Sequence, residues 1–525
     1  MDEGWFCKKS DREIGNDKMR FRKEFNNGVI VDEDARTGFI EIYVDPEVQS
    51  RNVFMEKAVE QQSLPCFEDH IVRLPQINWD TNPNVVEGYY KTWQIAFSNL
   101  RQPTAENGFV SNFIDTAFNN YLFMWDSAFI TMFGKYANHC FPFIQTLDNL
   151  YVKQRPDGFI SREISIENGN EHFHRHDPVS TGPNILPWAE WQHYELTGDL
   201  QRLREVFPPL LGLHRWIADN RTWKDGSYWG CGWSCGMDNQ LRVEKEKQDY
   251  SHHSHSSWID VTLQQYLSGT LLVKIHEEIQ SGEDINSIKQ ELANLKSLIN
   301  QKMWDPSRQF YFDTLRDDSF STIKSIAAYW ALLTDLVPEE HMADFVAHLD
   351  DESSFKRPHR VPAMAADCEH YADDGGYWRG GVWAPTNYMV LKGLECHGFH
   401  HLAFDIALNH VQHVAAIYGE TGTVWENYSP ELSRPGEPAK RDFVGWSGLS
   451  LISILIEFVF GIKMDVPNNQ IVIRPYLDEA YSVRKLQFGT LGSVDIEVSS
   501  KVDASGLDRV VVKTALDINI TVIDG

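Results

Sequence analysis

The sequence predicts a mainly α protein: an (α/α)6-barrel catalytic domain with small β elements at its N- and C-terminal ends. Three observations predict it. About twelve segments between residues 85 and 464 carry apolar residues at three- and four-residue spacing, the number that six inner and six outer helices require. Part of the chain before them alternates as a hairpin does. The chain after Pro467 turns to short β-branched runs separated by turn residues.

Residues 1–84 read as an N-terminal extension, in which "GVIVDEDARTGFIEIYVD" places two apolar or alternating runs around a polar turn, a β-hairpin pattern followed by proline-containing loops. The first residues, "MDEGWFCKKSDREIGNDKMRFRKEF", are charged and hold no apolar run of the kind a signal peptide needs, so a cytoplasmic location is expected. Residues 85–464 form the expected barrel domain. Its helical patterns run from "VVEGYYKTWQIAFSNL" and "WDSAFITMFGKYAN" through "ILPWAEWQHYELTG" and "WIDVTLQQYLSGTLLVKIHEEIQ" to "HLAFDIALNHVQHVAAIYGE". The last, "LSLISILIEFVFGI", falls short of the roughly 18 apolar residues that span a bilayer and reads as a buried helix. Residues 465–525, with "QIVIRPYL", "SVDIEVSSKV" and "RVVVKTALDINITVID", read as a C-terminal β module.

Composition narrows the partners. The 525 residues carry a net charge of -27, which argues against nucleic acid and against an anionic membrane surface. Charged residues at 23% and hydrophobic ones at 42% are ordinary for a globular protein; 17 tryptophans are not. Seven cysteines scattered from Cys7 to Cys396, an odd number in a long chain, fit reduced thiols better than a disulfide framework.

Between the helices lie loops rich in Trp, Asp, Glu, Gly and His: "FMWDSAF", "RPDGFISREI", "HFHRHDPVSTGPN", "WGCGWSCGMDNQLRV", "DDGGYWRGGVW" and "TVWENYSPE". A sugar pocket needs these types, because aromatic faces pack on the C–H faces of a pyranose while carboxylates and Arg take its hydroxyls. Glycoside hydrolysis further needs two carboxyl groups across the scissile bond, one to protonate the leaving oxygen and one to activate water or attack carbon. Asp238, two residues after a glycine and among aromatics and sulfur, has surroundings that would keep it protonated, and Glu426 has Trp425, Asn427 and Tyr428 around it to orient it. Among 75 Asp and Glu, composition alone does not single out either one.

The motifs "FMWDSAF", "GMDN", "GGYWRGGVWAPTNY", "VWENYSP" and "FVGWSGL" resemble, in order and rough spacing, those of glycoside hydrolase family 63 and its relative family 37, the trehalases. The resemblance covers about residues 85–464 and implies an (α/α)6-barrel α-glycosidase that inverts at the anomeric carbon and uses no cofactor or metal. By motif it implies Asp238 as general acid and Glu426 as general base. It puts Asp126 with Trp125 in the element that grips the terminal sugar, and Trp378, Arg379 and Trp383 in the wall of the same subsite. Phe123, Tyr377 and Trp446, in the same motifs, join the substrate-binding set. Inversion would set the two catalytic carboxyls roughly 6.5 to 9.5 Å apart, and Asp126 is expected to stay ionised. Two departures bear on the leaving-group subsite: "GMDN" continues with "QLRV" where the family has Ser-Pro and an aromatic, and "TGPNILPWAEW" lacks a double proline.

Other readings stay open. Cys231, Cys235, His252, His253 and His255 are ligand types that zinc uses, without a regular spacing; they also fit loop thiols and a His-rich lid. A sugar-binding protein that has lost turnover, a lyase or a phosphorylase could use the same scaffold, although Glu426 argues for water as nucleophile. A small carbohydrate is the expected partner. The substrate could carry terminal glucose, be trehalose, or be a mannosyl- or glucosylglycerate, whose carboxylate Arg162, Arg175 or Arg242 could meet. Oligomeric state is not readable from the sequence.

Overall fold

The computed structural model describes residues 20–24, 29–34, 39–44, 52–59, 62–116, 119–242, 250–503 and 506–523. Cys7 and the rest of residues 1–19 lie outside the described residues; the other six cysteines are free thiols.

All twelve helical patterns of the sequence become helical segments, though not all α-helices. Residues 143–151 wind as a 3-10 turn running into a short α-turn, Ile326–Leu333 is 3-10, and Ser450–Val459 is a π-helix. Every residue of that π-helix is buried, which explains an apolar run without a polar face. No helix among the described residues is long and apolar enough to cross a membrane.

Six segments form a closed series of contacts. Met124–Gly134 packs on Leu186–Thr197, which packs on Ile259–Ile279, and this on Ile326–Leu333; the series continues through Ala384–Cys396 to Ser450–Val459, which touches Met124–Gly134 again. These helices are buried on most sides, as expected for elements with neighbours around them: all residues of Met124–Gly134 and all but two of Leu186–Thr197 are buried. Outside them lie amphipathic helices. Leu200–Asn220 packs on Leu186–Thr197 and Ile259–Ile279, Asn286–Lys302 on Ile259–Ile279, and His400–Thr421 on Ala384–Cys396 and Pro83–Ser98.

At the N-terminal end, strands Arg20–Glu24, Val29–Asp34 and Phe39–Val44 make an antiparallel meander. At the C-terminal end Ile462–Asp465, Gln470–Ile473 and Asn519–Val522 form one sheet. A second is built of Val510–Lys513, Gly492–Val498, Tyr481–Phe488 and Gln76–Asn78. Ile77 stands opposite Val483, so a strand from before the helices completes a sheet formed after them. A strand that precedes the helices is thereby tied to strands that follow them.

Candidate active site

Asp126 sits in the first turn of helix Met124–Gly134 and is 3% exposed. Asp238 follows the helical turn Gly232–Cys235, which ends at Gly236 with φ 81°. A Cβ at Gly236 would come within 3.0 Å of the Trp125 ring, so glycine is needed both for the turn and for the approach of this loop to the indole. Glu426 is also 3% exposed and is held at both oxygens: Oε1 accepts from the Tyr377 hydroxyl at 3.0 Å and Oε2 from the Lys440 backbone N–H at 3.1 Å.

Burial raises all three carboxyls, and Glu426 adds to the rise of the other two. Burial pushes Asp238 up to about 7; Arg162 opposes this, and the negative charges of Glu426 and Glu163 add to it. Burial also raises Glu426, against the hydrogen bonds from Lys440 and Tyr377. Asp126 is raised well above the usual carboxylate range, first by burial and then by Glu426, with Asp238 adding and Arg162 opposing. The expectation that Asp126 stays ionised is therefore corrected: its surroundings favour the protonated acid.

The glycine-rich loop has a local reason for its composition. Gly375 at φ 109°, Gly376 at φ 48° and Tyr377 at φ 63° make a left-handed stretch, which an aromatic residue enters only under constraint. The constraints are visible: Tyr377 O accepts from Gly381 N at 3.0 Å and from Trp383 Nε1 at 3.3 Å, and the Tyr377 ring stands edge-on to Trp383 at 4.9 Å. Trp378 and Trp383 stack on each other, 3.9 Å apart and 4° from parallel, with exposures of 1% and 0%; Trp446 meets Trp383 at 5.6 Å. One face of each stacked indole is thus taken by the other. Asn239 ties this loop to Asp238: its Nδ2 donates to Gly376 O at 3.0 Å and its Oδ1 accepts from Trp378 N at 2.9 Å.

Several buried polar atoms of this region have no hydrogen-bond partner among the described residues: Trp125 Nε1, Asp126 Oδ1, Arg162 Nε, Arg379 Nε and Trp446 Nε1. They are five of the buried side-chain polar atoms without a partner among the described residues, and a polar ligand at this site would supply the partners they lack. Phe123 is half-buried and meets Tyr121 edge-on at 6.4 Å, next to the same helix start.

Near Asp238, whose proton affinity it lowers, Arg162 donates from Nη2 to Glu163 Oε2 at 2.9 Å and from Nη1 to Trp233 O at 2.6 Å, with the guanidinium over the Phe173 ring at 5.1 Å. Arg175 pairs with Asp157 at 3.2 Å. Arg242, considered above for a substrate carboxylate, is wholly buried between Asp260 and Asp313, and its place is structural.

His252, His253 and His255 come together, with nitrogens within 4.8 Å of one another. His252 Nδ1 accepts the Ser254 N–H at 2.9 Å and His253 Nδ1 the His255 N–H at 3.0 Å. An accepting Nδ1 keeps the ring proton on Nε2, so neither ring offers a lone pair to a metal in this arrangement. Cys231 and Cys235 turn to Ser234 Oγ and Gly232 O and do not join them.

Sequence reasoning missed three contributors: the Lys440 backbone N–H on Glu426, Asn239 as the tie between two loops, and Trp233 as the exposed ring beside Arg162. A backbone donor leaves no trace in residue type; Trp233 could have been singled out from "CGWSC".

A domain family described as the mannosylglycerate hydrolase MGH1-like glycoside hydrolase domain matches residues 119–447. A mannosylglycerate hydrolase from Thermus thermophilus is 22% identical over 351 residues, covering 54% of this chain and 83% of that protein. A probable mannosyl-oligosaccharide glucosidase from Schizosaccharomyces pombe is 22% identical over 292 residues, 49% of this chain and 35% of that longer protein. The crystal structure of a family 63 mannosylglycerate hydrolase from Thermus thermophilus in complex with glucose superposes with a TM-score of 0.57 at 20% identity, over 70% of this chain and 99% of that one.

Proposed function

The chain belongs to the mannosylglycerate hydrolase MGH1-like glycoside hydrolases of family 63, and from that premise we propose that it is an inverting α-glycosidase that removes a terminal glucose-like sugar from a small glycoside or oligosaccharide. The six helices in closed contact and the helices outside them are assigned as an (α/α)6 barrel over residues 85–464, with 1–84 as an extension and 465–525 as a β module.

One observation carries the reading: the buried carboxyls of Asp126 and Glu426 and the partly buried one of Asp238, each raised by its surroundings, belong to the same loops as four further buried polar atoms without protein partners, Trp125 Nε1, Arg162 Nε, Arg379 Nε and Trp446 Nε1. Sugar hydroxyls would supply the missing partners. Asp238, with the proton affinity of a group that holds its proton near neutrality, is assigned as general acid to the leaving oxygen. Glu426, oriented by Tyr377 and Lys440, is assigned as the base that deprotonates water. Asp126, Trp125 and Arg379 bind the terminal sugar. Trp378, Trp383 and Trp446 back the subsite, and Phe123 stands at its edge.

The test is proton NMR of the purified protein with α-linked disaccharides and glycosylglycerates, following the anomer that appears first. A β-anomer is expected. An α-anomer first would overturn inversion, and binding without turnover of any compound would overturn the hydrolase reading.

A further inference from the structure

Trp233 differs from the other tryptophans of the site. It is 38% exposed, while Trp125, Trp378, Trp383 and Trp446 are all at 5% or less. It is also held firmly: its backbone N–H donates to Tyr250 O at 3.1 Å, its carbonyl accepts from Arg162, and its ring tilts against Phe173 at 6.1 Å. A fixed indole left facing solvent on the turn that leads to Asp238 is a surface for something flat to lie on.

The charges around it say what kind of body that is. The Arg162 guanidinium is matched by Glu163, whose side chain is 4% exposed. Arg175 is matched by Asp157 and Arg242 by two aspartates. Arg221 is buried over the Trp229 ring at 4.4 Å, donating to Asp177 O and Ser180 Oγ. Among the described residues of these acid-side loops, carboxylates balance Arg162, Arg175 and Arg242, and Arg221, whose partners are neutral, is buried away from solvent, while Glu163 would repel a substrate carboxylate. Arg379 has no carboxylate partner among the described residues, but it stands on the loop of Trp378 and Trp383, assigned above to the terminal sugar.

We propose that Trp233 is the platform of the leaving-group subsite and that the leaving group is an uncharged pyranose ring, so that the substrate is an oligosaccharide and not a glycosylglycerate. The inference rests on the hydrolase reading above and adds to it the class of leaving group and the residue that selects it.

The test uses the full chain and compares kcat/KM on α-glucosyl and α-mannosyl fluoride, on α-linked disaccharides of the same sugars, and on glucosyl- and mannosylglycerate, for the wild type, Trp233→Ala and Trp233→Phe. Fluoride leaves without occupying a sugar subsite, so its turnover reports the hydrolase reading alone. The wild type is expected to prefer a disaccharide over either glycosylglycerate. Trp233→Ala should lose about tenfold more on the disaccharide than on the fluoride, mainly in KM, with Trp233→Phe recovering most of it. A wild type that prefers a glycosylglycerate, or a Trp233→Ala loss equal on fluoride and disaccharide, overturns the proposal. No turnover of either fluoride overturns the hydrolase reading and this one with it.

Discussion

The Tyr377 hydroxyl donates to Glu426 Oε1 over 3.0 Å from a residue whose own backbone is held at φ 63°. The strained conformation and the hydrogen bond belong together, because the left-handed turn brings the phenol to the carboxylate while the indole of Trp383 is fixed behind it.

Removing that hydroxyl should therefore disturb the base more than the fold. Tyr377→Phe deletes a bond that lowers the proton affinity of Glu426, so the carboxyl rises further and the ascending limb of the pH–rate profile moves to higher pH. A hydrogen bond to a charged group is worth about 1.5 to 3 kcal/mol, so kcat/KM at pH 7 should fall about 10- to 100-fold. Steady-state kinetics across pH 4 to 9 check this; an unmoved limb would mean that the phenol only packs.

Asp126 gives the opposite kind of prediction. Its folded-state proton affinity is raised, so the ionised group costs stability above its unfolded pKa, and the cost disappears as pH falls and both states are protonated. Asp126→Asn should raise the melting temperature of the ligand-free protein at pH 8, with the gain vanishing below about pH 4. The same variant should bind substrate poorly. A variant less stable than wild type at pH 8 would show that Asp126 is ionised and satisfied.

Asp238 and Glu426 should separate by leaving group. Asp238→Asn cannot protonate a sugar oxygen and should cut turnover of an α-linked disaccharide about 10²- to 10⁴-fold, yet lose far less on a glycosyl fluoride, whose leaving group needs no proton. Glu426→Gln should lose activity on both, since each needs an activated water. Equal losses for Asp238→Asn on the two substrates would remove it from the acid's role.

Helix positions were legible because spacing of apolar residues fixes which face is buried, whatever the neighbours; all twelve patterns became helical segments. The helix type was not legible where burial is complete. "LSLISILIEFVFGI" has no polar face to set a period, and it winds as a π-helix at Ser450–Val459. The association of Gln76–Asn78 with Tyr481–Phe488 was hidden for a different reason: a three-residue strand carries almost no pattern, and its partner lies some four hundred residues on. At the site, motif resemblance named the carboxyls, but it could not supply their electrostatics. The protonated tendency of Asp126 arises first from its burial and then from Glu426 and Asp238, and only folding supplies either. Likewise Arg242 looked like any loop arginine until Asp260 and Asp313 closed on it.

A pair of histidines away from the carboxyls should set part of the acid limit of stability. His359 and His410 are fully buried; His359 Nε2 and His410 Nδ1 lie 2.9 Å apart, and His410 Nε2 is 2.9 Å from Ser450 Oγ. Burial lowers both, with His413 nearby adding to the effect, and takes His410 to about 3. A histidine whose folded pKa is depressed binds its proton first in the unfolded state, so its contribution is whole above the unfolded value near pH 6.5 and is lost as pH falls toward the folded one. The melting temperature should accordingly drop between about pH 6.5 and pH 3. His410→Gln should be less stable than wild type at pH 7, because a buried hydrogen-bonded pair is broken, but its melting temperature should depend less steeply on pH in that window. Thermal melts of both proteins at half-unit intervals check this, and parallel curves would show that the acid limit is set by other groups.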